Sequence, residues 1–149
     1  MLTLRIKRVA ARAEVPRFQT EGSAGLDLAA CLPEGQDAMR VEPGQIVRVP
    51  TGWAVAIPEG YEGQVRPRSG LATRFGVTVV NAPGTIDSDY RGEVMVALIN
   101  LGSEAYEIVH GTRVAQLVVG PVARVAVEEV ADLGATGRGS GGFGSTGGH

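Results

Sequence analysis

At 149 residues the chain has the length of a single domain, long enough to bury a core without disulfide staples. A hydrophobic fraction of 44% and a charged fraction of 20% are those of a soluble globular protein, and a formal charge of −2 gives no overall attraction to a polyanion such as DNA. The single cysteine, Cys31, excludes a disulfide framework and a thiol-rich zinc site, and fits a reducing, intracellular setting.

The N-terminal "MLTLRIKRVA" lacks the apolar stretch of a secretory signal, and no run approaches the roughly 20 apolar residues of a membrane span. A soluble cytoplasmic protein is the expectation. Residues 2–7, "LTLRIK", alternate apolar and polar with a period of two, which predicts a half-buried strand. The same pattern predicts strands over 24–30, 45–50, 53–58 and 62–68. "SGLATRF" (69–75) then predicts one short helix, with Ser69 as its N-cap and Gly76 as its terminator. Further strands are predicted over 77–81, 92–100, 106–109, 113–119 and 123–130, with turn signals such as "PEGQ", "PEGYEG" and "NLGSE" between runs. Many short β-rich runs at close spacing predict an all-β sandwich, barrel or jelly roll, and no helical period supports a parallel α/β fold. The pattern stops near residue 133. Residues 134–149 hold eight glycines and predict a mobile tail on a domain spanning 1–133.

Four internal segments carry candidate chemistry. In "GSAGLDLAA" (22–30), Asp27 points opposite to Leu26 and Leu28, as a solvent-facing edge carboxylate would. In "RPRSGLATRFG" (66–76), a strand leads into the helix, so Arg68, the Ser69 hydroxyl and backbone N–H groups form either an anion site or a simple cap. "VTVVNAPGTIDSDYRGEV" (77–94) predicts a hairpin around Asn81 and Gly84, whose edges can present donors and acceptors to a flat polar ring. Its "DSDYRG" puts Asp87 and Asp89 on one side if extended, a pair able to hold a metal or act as base, or else a polar turn. In "GTRVAQLVV" (111–119), Val114, Leu117 and Val119 read as core, while Gln116 must find a hydrogen-bond partner in the backbone or a ligand.

Several motifs are excluded. "GRGSGG" and "GSGGFG" in the tail satisfy G-x-G-x-x-G but lack the strand-to-helix context of a dinucleotide site. No phosphate loop with Lys exists, and His110 in an "HGT" turn gives no support to a Ser–His–Asp arrangement.

Together and in this order, "AGLDLAA", "RPRSGLA", "GTIDSDYRGEV", "RVAQLVV" and "RGSGGFGSTG" resemble the five ordered motifs of the trimeric dUTPase family, from Ala24 to about Gly147. The resemblance implies an all-β fold, a jelly-roll-like β-barrel with one short helix. It also implies a homotrimer with active sites shared between subunits and a flexible glycine-rich C-terminal tail. The implied reaction is hydrolysis of dUTP to dUMP and pyrophosphate by water attack on the α-phosphorus, with Mg2+ on the triphosphate and no nucleic-acid or membrane partner. On the matching positions, Asp87 is the expected general base, and Asp27 the group that meets magnesium through water. Arg68, Ser69, Gly70, Gln116 and the tail's Arg138 are the expected phosphate contacts. Asn81, Gly84, Thr85 and Ile86 are expected around uracil, Tyr90 under the deoxyribose, and Phe143 stacked on the base. Two rivals remain: a dCTP deaminase on a related fold, which needs a glutamate that "NAPGTIDSDYRG" lacks, and a non-catalytic nucleotide binder.

Overall fold

The structure, a computed structural model, describes residues 1–148. In chain order the elements are β1 (Arg5–Arg8), β2 (Leu26–Ala29), β3 (Ala38–Val41), β4 (Ile46–Ala56), β5 (Tyr61–Pro67), α1 (Ser69–Phe75), β6 (Val77–Val79), β7 (Gly84–Ile86), β8 (Glu93–Asn100), β9 (Tyr106–Val109) and β10 (Arg113–Pro121). The fold is mostly β with one short helix, as the alternating runs predict. No helix among the described residues is long and apolar enough to cross a membrane.

All pairings are antiparallel. One four-stranded sheet has the order β1-β4-β8-β6, a second the order β2-β10-β5-β7, and β3 pairs with β9 alone. Alternation along the strands turns one face inward, except in β1, whose four residues are all exposed. Val49, Val96 and Leu98 of the first sheet meet Leu28, Val65 and Leu117 of the second, with Val41 and Ile108 closing one side of the same cluster. The polar exception, fully buried Asn100, is satisfied. Its Nδ2 donates to the carbonyls of Val41 (3.0 Å) and Glu104 (2.8 Å), and its Oδ1 accepts from Gly102 N–H (2.9 Å).

The structure corrects five expectations. The sheets do not close into a barrel, because β1, β6, β2 and β7 each pair with a single strand, β2 meeting only an isolated bridge from Arg17 on its other side. The runs 45–50 and 53–58 form a single strand, β4. A bulge between Pro50 and Ala54 absorbs the break, with Gly52 in the left-handed region at φ 73°. A Cβ there would stand 2.9 Å from Cys31 Sγ, so only glycine fits. The segments 77–81 and 84–86 are not a hairpin: β6 pairs with β8 and β7 with β5, so the turn between them crosses from one sheet to the other. Ser69 is not the N-cap. Arg68 occupies that position without a side-chain cap bond, and Ser69 is the first helical residue, while Gly76 does end the helix at φ 69°. The run 123–130 is not a strand, since it finds no partner edge among the described residues and leaves Val125 and Val127 exposed by 80% and 95%. Strand β3 lies in a run too short and weakly patterned to predict.

Candidate active site

The sheet-crossing turn and β7 build one cavity of about 180 Å³, lined by Asn81, Gly84, Thr85, Ile86, Asp87 and Tyr90 together with Val65, Glu93, Val94, Met95 and Ala97. Of the residues expected around a nucleoside, Asn81, Gly84, Thr85, Ile86 and Tyr90 thus converge and Phe143 does not, although the hairpin expected to hold them does not exist. Pairing with β5 fixes β7 in register, Gly84 opposite Val65 and Ile86 opposite Gly63. Buried Ile86 anchors the strand in the core and leaves Thr85 and Asp87 on the open side. A Cβ on Gly84 would lie 3.2 Å from Asn81 Nδ2 and 3.3 Å from Val65 Cβ, so this glycine lets the Asn81 amide sit against the strand.

Asp87 begins a turn in which Tyr90 N–H donates to the Asp87 carbonyl at 3.1 Å. Asp89 is therefore not on the same side as Asp87 in an extended run. It lines a neighbouring groove with Glu59, Glu62 and Arg91, while Asp87 reaches both spaces. The Tyr90 hydroxyl donates to the Glu93 carbonyl at 2.9 Å, which holds the ring at the cavity wall. Gly92 permits this: a Cβ there would come within 2.6 Å of Tyr90 Cζ. Glu93 and Met95 are not legible as cavity residues in the sequence, because only the return of β8 beside the turn brings them there.

The phosphate candidates lie elsewhere. Asp27 on β2, Gln116 on β10 and Arg66 on β5 form one cross-strand row. Gln116 Nε2 donates to the Pro67 carbonyl (3.2 Å) and lines an open groove with Ser69, Arg66 and Pro83. Gly70 is exposed beside it, with nothing in the chain within 4 Å of a Cβ placed there. The Asp27 carboxylate, only 13% exposed, accepts from Arg113 Nη1 at 3.0 Å, and Arg68 Nε stands 3.6 Å from its other oxygen. Arg68 Nη1 also donates to the Arg113 carbonyl at 3.1 Å. Asp27 lies on β2 and Asp87 just past the end of β7, the two edge strands of a four-stranded sheet, which stand three strand spacings or roughly 14 Å apart. Among the described residues Arg138 donates only to the Gly141 carbonyl, at 2.7 Å, and Phe143 is fully exposed, so neither joins the cavity. His149 lies outside the described residues.

No three of the described His, Cys, Asp and Glu side chains cluster closely enough to cage a metal ion. One well-held carboxylate, Asp27, fits a magnesium ion that keeps most of its waters and takes its other ligands from phosphate oxygens.

The dUTPase family model matches residues 11–147. The chain belongs to the dUTPase family. It is 61% identical over 133 residues to the deoxyuridine 5'-triphosphate nucleotidohydrolase of Desulfotalea psychrophila, covering 89% of this chain and 87% of that one. The enzyme of the same name from Anaeromyxobacter sp. is 56% identical over 149 residues, with 98% of each covered. Among solved structures, a mutant Staphylococcus bacteriophage 80α dUTPase with dUpNHpp superposes with a TM-score of 0.84 at 26% identity, covering 99% of each chain. A mutant dUTPase of phage φ11 of S. aureus, studied for its coordination of a structural Mg(II) ion, matches at a TM-score of 0.78, covering 89% of this chain and 99% of that one; at 23% identity it shows the fold alone.

Proposed function

We infer that this dUTPase-family chain hydrolyses dUTP to dUMP and pyrophosphate, with Asp87 as general base. The observation that carries the assignment of roles is the cavity itself, in which an exposed carboxylate stands beside the Asn81 amide and the Tyr90 ring. The cavity is smaller than drug-sized pockets and suits one heterocycle with part of its sugar. Hydrogen bonds to the uracil edge from Asn81 and the β7 backbone reject cytosine, whose amino group would leave buried polar atoms unpaired. Gly84, Thr85 and Ile86 close around the ring where a C5-methyl would collide. Tyr90 lies under the sugar and excludes a 2′-hydroxyl.

A carboxylate ionised at neutral pH takes the water's proton as the phosphorus–oxygen bond forms, so alignment matters more than basicity. The nucleoside cavity is lined by the acidic residues Asp87 and Glu93, the latter with its Oε1 held by Gly52 N–H at 2.7 Å, and by no cation. A triphosphate reaching past them needs positive charge from elsewhere. Arg68, with the Ser69 hydroxyl, the Gly70 backbone and Gln116, offers it. Magnesium, when bound, neutralises charge on the phosphate oxygens, and Asp27 receives a water of its shell.

The separation of Asp27 from Asp87 supports a site shared between copies of the chain, one copy giving the nucleoside cavity and another the phosphate row. The unpaired segment after β10 supports the same homotrimer, because Val125, Val127 and Leu133 (94% exposed) are left for a neighbouring copy to cover. In this reading the two sheets are those of a jelly roll, residues 1–133 are the catalytic domain, and 134–149 is a tail that closes over bound nucleotide. Arg138 then grips the terminal phosphate and Phe143 stacks on uracil. The glycines between them let the tail wrap closely and leave after turnover.

Pyrophosphate release from dUTP, dTTP, dCTP and UTP, with and without magnesium, tests this. Turnover of dUTP alone, dependent on magnesium and lost in a chain ending at residue 133, is the expected result. Comparable hydrolysis of all four nucleotides overturns the cavity assignment, and ammonia release from dCTP overturns the reaction.

A further inference from the structure

Two groups of the phosphate half, Asp27 and Arg68, meet at a residue the motif reading passed over. We propose that Arg113 is a positioning residue that sets both of them before nucleotide arrives, an inference that rests on the dUTP-hydrolysis reading above.

The argument starts in the backbone of β10. Gln116 lies on the outer face of the sheet, and simple alternation from it would turn Arg113 into the core. The register shifts between Arg113 and Ala115, so that Arg113 opposes Ala29 while Ala115 opposes Leu28. The extra residue lets Val114 and Ala115 both face inward, at 1% and 0% exposure, and brings Arg113 out to the face that carries Asp27. Re-aiming a side chain is what a bulge does.

From that position one residue makes two different contacts. Its Nη1 donates to Asp27 Oδ2 at 3.0 Å, and its carbonyl accepts from Arg68 Nη1 at 3.1 Å. Arg68 in turn places Nε 3.6 Å from Asp27 Oδ1, which closes a three-membered network. The guanidinium holds the carboxylate by a charge-assisted bond, while the carbonyl offers a fixed acceptor that survives any side-chain change. Long side chains lose rotamer freedom on binding a ligand, and fixing them beforehand removes that cost from the binding step. Among the described residues, removing the Arg113 guanidinium leaves Arg68 as the only cation within 4.0 Å of the Asp27 carboxylate. It is then drawn toward the carboxylate and away from a phosphate.

The test is a double-mutant cycle on binding of the non-hydrolysable analogue dUpNHpp, measured by calorimetry with and without magnesium, with melting temperatures as the check on folding. Arg113→Met is expected to weaken magnesium-dependent binding about tenfold, the worth of one ordered arginine-class side chain. Asp27→Asn should do the same, and the double variant should bind no worse than the weaker single variant. Additive losses, or unchanged affinity in Arg113→Met, overturn the inference. If Arg113→Met does not fold, Arg113→Lys decides: an intermediate loss that stays coupled to Asp27→Asn supports the role, and wild-type affinity overturns it. A wild-type chain that neither binds dUpNHpp nor cleaves dUTP overturns the underlying reading and this inference with it.

Discussion

A Cβ on Gly25 would stand 2.9 Å from Oε1 of Gln116, so the buried glycine of "AGLD" and the glutamine of "RVAQL" occupy one packed site across the β2–β10 ladder. Val118 Cγ2, 3.1 Å away, blocks the other side. Gly25→Ala must therefore push the Gln116 amide off the Pro67 carbonyl. Steady-state kinetics on dUTP should show KM raised about tenfold, the loss of one hydrogen bond, with kcat nearly unchanged, since uniform binding is what is lost. A fall in kcat at constant KM would place Gln116 at the reacting centre instead.

Gly70 presents the opposite case. It is the second residue of α1, and an added Cβ touches nothing within 4 Å. The fold has no steric need for glycine there, and alanine is the better helix former by up to about 1 kcal/mol. Gly70→Ala is expected to leave the melting temperature unchanged or raise it by a few degrees, while weakening dUTP binding by blocking close approach of phosphate to the backbone. An unaltered KM would mean that no phosphate comes near Gly70.

How much of this was legible in the sequence follows from how local each feature is. The helix's end at Phe75, though not its N-cap, and strand 106–109 were readable to the residue, because a glycine stop and clean alternation are properties of neighbouring residues. The supposed hairpin at Asn81 was not, since its two arms satisfy their hydrogen bonds with β8 and β5, distant in sequence. The residues expected around uracil converge all the same, because they sit within one turn and one strand. Glu93 and Met95 reach that cavity from the neighbouring strand, and nothing in their own segment announces it. The alternation over 123–130 predicts a strand but cannot say what it pairs with, and no described residue of this chain pairs with it.

Cys31 yields a pH-dependent expectation. Burial beside Trp53 and Ala13 pushes its thiol pKa above the ordinary value, and nearby Glu93 pushes the same way, while Arg12 and Arg8 oppose. The folded state thus prefers the neutral thiol more strongly than the unfolded chain does. That preference stabilises the fold below the unfolded pKa and is lost as pH rises through the folded one. Melting temperature should fall above about pH 9, and Cys31→Ala should flatten that alkaline decline. A thiol-reactive chromophore at pH 7.5 should label the chain only on unfolding. Rapid labelling of the native protein would show that this small cluster opens.

Asp87→Asn separates an enzyme from a mere nucleotide binder. The turn that presents Asp87 is held by its backbone carbonyl, and Tyr90 is held by the Glu93 carbonyl, so neither depends on the carboxylate. Asparagine keeps the shape and can still orient a water, yet it cannot take the proton as the new phosphorus–oxygen bond forms. Removing a general base in this way lowers turnover by about 10²–10⁴-fold. The expected result is that kcat for dUTP falls within that range while dUpNHpp affinity stays within a few-fold of wild type. A kcat that stays within a few-fold of wild type removes Asp87 from the reaction and overturns the general-base assignment.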